Sequence, residues 1–449
     1  MISKIARKLS SVVGLDAKIR ATLVLKLWRA GSGVATIFLV AEYLTPELQG
    51  YYYTFFSLLA LQALVEMGLN TAIVQFVTHE VVKLKWVEAK FEGSFEALNR
   101  LRSIGRFTRV WYLSAALIFF LLLAPGGYYF LENAGANAVE IRLEWILIVF
   151  ATSISLFMNG YFVLLEGCDY IAEVAKVRLG QSVCSVVLIW LLLIEGTDLM
   201  SIAVGAFAHV LVGLPAITWK YRGILADIMK PADSSLSINW KTEVWPFQWR
   251  IAVSWISGFF IFQFFNPLIL YFSGPVDAGR YGMSAQIVYS ALGLTSAWLT
   301  TKAPNMGSLV ARREFDLLNK TFWSTVRQSS VLTVVGLFFL AMLVEIGGRL
   351  SLPISERLLD PKLFALLAIC GLSTHVTFAQ SLYLRVHKVE PFVVVSFISA
   401  CVTAASAIIL VPQYGARGAV VAYFLGSVLV AFPLGTYIFI AFRHTQFPR

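Results

Sequence analysis

Charged residues are scarce in this sequence. Asp, Glu, Lys and Arg make up 14% of its 449 residues, and hydrophobic residues make up 58%. A typical soluble domain is about 25% charged and about 45 to 50% apolar. Together with the mean hydropathy of +0.75, this composition argues against a soluble globular protein and indicates a chain that lies mostly within a lipid bilayer.

Cysteines and recognisable catalytic motifs are also rare. The sequence contains four cysteines, Cys168, Cys184, Cys370 and Cys401. They lie in or beside apolar stretches without C-x-x-C spacing, so disulfides and metal sites are not expected. The sequence also lacks an H-E-x-x-H motif, a P-loop and a G-x-S-x-G elbow in a supporting context. We therefore expect no cofactor, no metal and no enzymatic activity.

Long apolar stretches dominate the chain instead. A transmembrane helix needs roughly 20 mostly apolar residues, because its backbone must be hydrogen-bonded within the segment. The twelve predicted spans are 22–43, 51–78, 107–124, 143–165, 175–194, 198–220, 250–273, 281–300, 325–346, 361–384, 391–411 and 415–441. The first 20 residues are basic and amphipathic without a cleavage site, so we do not interpret them as a removable signal peptide.

The net charge is +10, and the cations are distributed unevenly between the two sets of predicted loops. Most Lys and Arg residues flank the predicted cytoplasmic helix ends. The predicted external loops hold six cations: Arg142, Arg280, Arg349, Arg357, Lys362 and Arg417. Because positive residues are retained on the cytoplasmic side during insertion, we predict a multi-pass protein of the bacterial inner membrane with both termini in the cytoplasm. No basic stripe remains for a nucleic-acid partner.

Three local patterns occur twice in the same order, which indicates a duplication. They are a Pro followed by Gly four residues later, F-x-x-L-N-(R/K), and V-L-V-x-x-P. The pairs are Pro46–Gly50 with Pro275–Gly279, Phe95–Arg100 with Phe315–Lys320, and Val210–Pro215 with Val428–Pro433. Their members are separated by 218 to 229 residues.

The duplication predicts two six-helix lobes. Because six is even, each lobe begins and ends in the cytoplasm, and the lobes are related by an axis along the membrane normal. We predict an N-terminal lobe at 1–225, a cytoplasmic linker at 226–246 and a C-terminal lobe at 247–449, with a cavity between the lobes. The loop after the second span, 90–106, suits an amphipathic helix that lies in the membrane interface and anchors the protein.

Two turns carry a family resemblance. The turn at 44–51 with the helix ending near 67–70, and the late turn at 412–422, resemble the polysaccharide transport family of the multidrug/oligosaccharidyl-lipid/polysaccharide exporter (MOP) superfamily. That superfamily includes O-antigen flippases, lipid II flippases and MATE drug exporters. The resemblance implies an all-α, V-shaped, MATE-like fold of about twelve transmembrane helices that alternates between inward-facing and outward-facing states.

The resemblance also implies a function. The substrate would be a polyprenyl-diphosphate-linked oligosaccharide, flipped to the outer leaflet for O-antigen, capsule or exopolysaccharide synthesis. Membrane lipids, a polysaccharide polymerase and glycosyltransferases would be the partners. Lipid II flippases usually have two further C-terminal helices, so the twelve spans argue against lipid II as the substrate.

Ionisable residues inside a membrane tend to mark transport paths. Arg29 and Glu66 are predicted at the same depth of the first helical hairpin. Gln62, Glu66 and Asn70 recur at i, i+4 and i+8, which predicts one polar stripe. Arg29 would attract the diphosphate, and Glu66 would tune it or couple transport to an ion. The alternative is a buried Arg29–Glu66 pair without a transport role.

Weaker candidates lie on other spans. Hydrogen-bonding groups that could line the cavity are Asn159, His209, Gln263, Asn266, Gln286, His375 and Gln380. Each alone is more typical of an interhelical hydrogen bond. Glu166 and Arg385 are candidates for a gate salt bridge. Lys176 and Arg178 are predicted at a cytoplasmic helix end, where snorkelling accounts for them.

Two alternatives remain open at this stage. A cation-coupled multidrug exporter of the same fold would need an acidic cavity, and Arg29 neutralises Glu66, the strong acidic candidate of the N-terminal lobe. An integral-membrane enzyme of polysaccharide assembly would need catalytic groups on a substantial external loop, whereas the predicted external loops are short. A major facilitator transporter ranks lower, because its usual G-x-x-x-D-R-x-G-R-(R/K) loop is missing between His79 and Arg106.

Overall fold

The computed structural model describes residues 17–88, 90–135, 141–233, 237–387 and 389–446, and these are almost entirely helical. The helices of the first half are α1 (Ala17–Tyr43), α2 (Pro46–Leu59), α3 (Gln62–Glu66), α4 (Leu69–Val81), α5 (Phe95–Asn133), α6 (Arg142–Gly167), α7 (Ile171–Ile194), α8 (Met200–Pro215) and α9 (Arg222–Ile228). Those of the second half are α10 (Trp245–Phe262), α11 (Phe265–Ser273), α12 (Pro275–Ala311), α13 (Phe315–Arg349), α14 (Pro361–Val386), α15 (Phe392–Tyr414), α16 (Ala416–Phe424) and α17 (Phe432–Gln446).

Shorter elements connect or extend these helices. The strands β1 (Leu84–Val87) and β2 (Lys90–Gly93) form an antiparallel hairpin. The π-helical stretches are Ala216–Lys220, Trp240–Val244 and Leu425–Ala431, and Pro353–Arg357 is a 3₁₀ helix.

Each of the twelve predicted spans lies on one helix or on a run of consecutive helices. Within the described residues, ten helical segments are long and apolar enough to cross a membrane, and α2 to α4 together make an eleventh. The remaining prediction, 281–300, lies inside α12, which is less apolar than the others. The structure therefore confirms an essentially all-helical polytopic fold.

The predicted interfacial helix at 90–106 is wrong at its start, and the part from Phe95 is helical but is not a separate helix. Residues 90–93 form β2 instead, with Phe91 opposite Trp86 and with Phe91 buried between exposed Lys90 and Glu92. This alternation has the period of a strand. From Phe95 onward the chain is one helix of 39 residues that runs directly into the third span, so no separate helix forms.

The predicted polar stripe on the second span is also wrong. The helix stops after Glu66 and restarts at Leu69. Between them, Met67 and Gly68 have left-handed backbone angles, φ 48° and 65°. An i, i+4, i+8 stripe requires an unbroken helix, so Asn70 does not continue the face that carries Gln62 and Glu66.

The chain divides into two compact units. Within the described residues, unit 1 comprises 17–32, 68–125 and 142–248, and unit 2 comprises 33–67, 126–141 and 249–446. The predicted lobe boundaries at 225 and 247 stay predictions. The segment predicted as a linker contains the end of α9 and the π-helical stretch before α10.

The first repeated pattern forms a helix crossing in unit 2. Pro46 begins α2 and Pro275 begins α12, where proline fits because the first turn needs no N–H. Gly50 and Gly279 lie where the two helices touch, and a Cβ on Gly50 would overlap the Pro275 carbonyl. Buried Gln49 locks the crossing by donating to the Gly279 carbonyl at 3.0 Å.

The second repeated pattern begins a long helix in each unit. Asn99 is the fifth residue of α5 and accepts a bond from the Asp233 backbone N–H at 3.0 Å. Asn319 occupies the same position of α13 and accepts from Arg443 at 3.2 Å and from Tyr383 at 3.4 Å. The repeated asparagine thus ties each helix to the rest of its own unit.

Candidate functional site

A cation lies well inside α1. Arg29 is nine residues from Arg20, where the apolar span begins, or about 14 Å along the axis. Its side chain is exposed. The first part of α1 is held to unit 1 by Trp28, whose indole donates to the Ser182 hydroxyl at 3.2 Å and lies 6.2 Å from the Trp190 ring.

A second cation lies inside α7. The Arg178 guanidinium contacts two side chains of α6, donating to Asn159 at 3.1 Å and pairing with Glu166 at 3.2 Å. Asn159 and Glu166 are seven residues apart, or two helical turns, so they share one face of α6. Arg29 and Arg178 are close enough to repel each other electrostatically.

His209 of α8 completes the group. It is half-buried and lies within electrostatic range of both Arg29 and Arg178. Its backbone carbonyl accepts a bond from buried Gln181 of α7 at 2.9 Å. We call Arg29, Asn159, Glu166, Arg178 and His209 the basic cluster.

The basic cluster carries a net positive charge, because two guanidinium groups accompany one carboxylate. Four helices of unit 1 contribute to it: α1, α6, α7 and α8. Arginine presents several donors in a fixed fork that matches phosphate oxygens. Chemically, the cluster can attract and orient a phosphate or diphosphate group inside an apolar bundle.

Arg178 was not predicted as a site residue. The predicted span began at residue 175, which would place Arg178 at its end, where snorkelling is sufficient. The helix begins at Ile171, so Arg178 lies about 10 Å inside it. The signal that sequence reasoning could have used is the polar triad Asn159, Glu166 and Arg178 on two successive apolar helices.

The predicted residues of the second span are separated by the break after Glu66. Glu66 is buried and Gln62 is half-buried, both in unit 2. Asn70 belongs to unit 1, and its amide oxygen accepts from the Thr71 backbone N–H at 2.7 Å. Because Arg29 and Glu66 lie in different units, their pairing stays a prediction.

Within the described residues, the predicted glutamines Gln263, Gln286 and Gln380 of unit 2 make no hydrogen bonds with one another. Gln263 accepts from Ser57 at 3.4 Å, Gln286 donates to Ser290 at 3.4 Å, and Gln380 donates to Thr436 at 2.9 Å. Interhelical bonds account for Gln263 and Gln380. Exposed Gln286 bonds within its own helix.

The remaining candidates have partners or packed positions inside their own units. His375 is buried beside Ser329, at 3.2 Å, and Asn266 is buried. Of the two gate candidates, Glu166 pairs with Arg178 and Arg385 pairs with Glu390 at 3.6 Å. A Glu166–Arg385 gate therefore stays a prediction.

Unit 2 contains a cavity of about 230 Å³ whose lining combines apolar side chains, among them Phe262, Phe378 and Phe392, with a set of hydroxyl groups. The polar lining residues are Ser254, Thr374, Thr377, Ser381, Arg385, Ser396, Ser399 and Ser427. Several of the hydroxyls donate to backbone carbonyls, for example Thr377 to Ser373 at 2.9 Å. Their oxygens keep acceptor capacity, and no carboxylate is among the lining residues.

Comparisons with known proteins show the fold. No protein-family model and no curated protein matches the chain. A multidrug resistance MATE family transporter of the MOP superfamily, in an inward-facing conformation, has a TM-score of 0.67 at 15% identity and covers 96% of this chain and 99% of its own. An outward-facing structure of the same description has a TM-score of 0.57 at 14% identity, covering 96% of each chain.

A third similar structure is a MOP superfamily transporter from Pyrococcus furiosus. It has a TM-score of 0.59 at 14% identity and covers 95% of this chain and 96% of its own. It is described as having a binding pocket of reverse polarity that suggests a different function. The chain therefore has the fold of the MATE transporters, which confirms the predicted fold class.

Proposed function

We propose that this protein is a flippase of the bacterial inner membrane. It carries polyprenyl-diphosphate-linked oligosaccharide repeat units from the cytoplasmic to the outer leaflet by alternating access, for O-antigen, capsule or exopolysaccharide synthesis. A polysaccharide polymerase and glycosyltransferases act before and after it. The protein is a transporter and not an enzyme of that assembly.

The basic cluster is the observation that carries this proposal. A charge at the centre of a bilayer costs at least about 2.5 to 3.5 kcal/mol on insertion scales, so two arginines in apolar helices need a compensating role. Glu166 neutralises Arg178. Arg29 lies exposed beside them, which suits it to bind the diphosphate of a lipid-linked sugar.

The cavity of unit 2 with its hydroxyl groups supports the proposal that the substrate carries sugars. Its serine and threonine oxygens accept hydrogen bonds, and sugar hydroxyls donate them. Because carboxylates are missing from its lining, the cavity is poorly suited to a cationic drug. In this respect it differs from the acidic cavity that a cation exporter needs.

A multidrug exporter is the second candidate. Buried Glu66 favours it, because a buried carboxylate can bind a cation or a proton. The similar structures that are described as multidrug resistance transporters share the fold but not the sequence. The two candidates differ in the role of Arg29. A flippase needs its positive charge to bind the diphosphate, whereas an exporter of cations does not need it.

The test is substitution of Arg29. We expect Arg29→Ala to abolish surface polysaccharide at unchanged membrane abundance, and Arg29→Lys to retain part of it, because lysine keeps the charge but not the fork. Arg312→Ala is the control, since Arg312 is exposed at the end of α12. Transport of a labelled polyprenyl-diphosphate oligosaccharide into vesicles gives the same readout in vitro.

Two results would overturn the proposal. One is normal polysaccharide with Arg29→Ala. The other is drug resistance that depends on Glu66 and not on Arg29, which would assign the protein to the exporters.

A further inference from the structure

Unit 2 carries an apolar groove that the transport proposal does not use. It has a volume of about 460 Å³ and is lined almost wholly by apolar side chains from α1, α12, α13 and the segment 352–358. Phe38, Leu294 and Leu343 on its walls are 59%, 46% and 47% exposed. Exposed apolar walls of this kind suit an acyl chain.

A polar pocket continues the groove at one end. It has a volume of about 420 Å³ and shares Val344, Ser355 and Leu358 with the groove. The two spaces are therefore contiguous, apolar along the helices and polar where the helices begin. This arrangement matches a molecule with an apolar chain and a polar head.

The pocket carries charges of both signs. Arg280 lies 3.7 Å from Asp277 and donates to the Glu356 carbonyl at 2.9 Å. Arg417 and the Glu356 carboxylate also line the pocket, and neither makes a side-chain hydrogen bond or ion pair with the part of the chain that the structure describes. Arg417 and the Glu356 carboxylate are thus left available to a ligand, and Asp360, which among the described residues accepts only a backbone N–H, adds a second negative charge to the pocket.

Three helices begin at the pocket. The first residues of α12, α14 and α16 contribute to its lining. Helix N-termini carry partial positive charge and unpaired N–H groups, which favour a phosphate. At α14 the side chain of Asp360 already accepts the Lys362 N–H at 2.8 Å, so Arg417 at the start of α16 is the stronger phosphate partner.

We propose that the groove and the pocket bind one zwitterionic glycerophospholipid with a primary ammonium head group. An acyl chain lies in the groove, the phosphate contacts Arg417, and the ammonium donates to Glu356. An anionic lipid would leave Glu356 without a partner, and a choline head group has no N–H to donate. The proposal is independent of the transported substrate.

The test is lipid retention by the purified full-length protein, measured by native mass spectrometry in equimolar phosphatidylethanolamine, phosphatidylcholine and phosphatidylglycerol. We expect one phosphatidylethanolamine to be retained about tenfold over the other two, since charge-assisted hydrogen bonds supply an energy of that order. Arg417→Ala and Ala291→Trp, which fills the groove, should remove this preference. Glu356→Arg should shift it to phosphatidylglycerol.

Matched controls separate binding from misfolding. Arg349→Ala changes an exposed arginine at the same end of unit 2 that pairs with Glu345. Val335→Trp introduces the same side chain at an exposed position of α13 outside the groove. Both should retain phosphatidylethanolamine as the unaltered protein does. Equal retention of the three lipids, an unchanged preference in Arg417→Ala, or the same loss in both controls would overturn the proposal.

Discussion

Buried charges in unit 1 lie where partners neutralise them. Asp227 is 2% exposed and accepts from the Phe91 N–H at 2.8 Å, from Arg102 at 3.0 Å and from Lys230 at 2.7 Å. Glu80, also 2% exposed, pairs with Arg100 at 2.9 Å. The Asp227 contacts join the β-hairpin, α5 and α9, and the Glu80 pair joins α4 to α5.

The Asp227 contacts predict a pH dependence. Burial raises the pKa of the Asp227 carboxyl, but the bonds from Lys230, Phe91 and Arg102 outweigh burial and hold this pKa below its ordinary value. A depressed pKa in the folded state means that the stabilisation is present above the unfolded-state pKa and is lost as the pH falls below about 4. Asp227→Asn should cost about 2 kcal/mol at pH 7, and this difference should shrink below pH 4.

Thermal unfolding in detergent between pH 3 and pH 7 measures this effect. Glu92→Gln, at an exposed position of the same hairpin, should leave the curve unchanged. A constant difference between Asp227→Asn and the unaltered protein over the whole pH range would contradict the prediction.

At the scale of elements, glycine sets how closely α2 and α12 approach. A Cβ on Gly50 would overlap the Pro275 carbonyl, and one on Gly279 would lie 3.0 Å from the Gly50 nitrogen. The repeated Pro-x-x-x-Gly pattern therefore has a packing role, since proline begins each helix and glycine allows the crossing. Small residues serve the same purpose in other membrane helix pairs.

Gly50→Ala should destabilise unit 2. Overpacking of this kind costs about 1 to 3 kcal/mol, because the overlap is with backbone and not with a movable side chain. Gly293→Ala in α12 is the control: no atom lies within 4 Å of its added Cβ, and alanine favours a helix by up to about 1 kcal/mol. Unfolding midpoints of the two variants in detergent measure the difference, and equal midpoints would contradict this account of the crossing.

At the scale of the whole molecule, the distribution of cations predicts orientation. Arg312 and Arg313 lie between α12 and α13, a position that the positive-inside rule assigns to the cytoplasm. The opposite end of α13, near Leu350, should face outward. The same orientation places the polar pocket of unit 2 at the outer leaflet.

Cysteine labelling measures this orientation. After replacement of the four native cysteines by serine, Leu350→Cys should react with a membrane-impermeant maleimide in intact cells, whereas Arg312→Cys should react only after permeabilisation. Both positions are exposed, so access to the reagent depends on the side of the membrane. The reverse labelling pattern would refute cytoplasmic termini.

Local physical chemistry accounts for what the sequence by itself determined. Apolar runs predicted each of the eleven segments that are long and apolar enough to cross a bilayer within the described residues, because backbone groups in lipid must be satisfied within their own helix. The repeated Pro46 and Pro275 begin helices in the structure, five and six residues before the predicted spans at 51–78 and 281–300. The small hairpin at 84–93 and the break at Met67–Gly68 were missed, since an apolar composition does not reveal where the backbone turns.

Only the tertiary structure decided which polar residues act together. Arg29 was predicted as a site residue, but its neighbours Arg178 and His209 are 149 and 180 positions away along the chain, and no local pattern links them. Helix packing brings them into one cluster, because residues on different helices meet only when apolar faces are paired. The charge of that cluster, and hence its preference for an anion, is therefore a property of the folded chain.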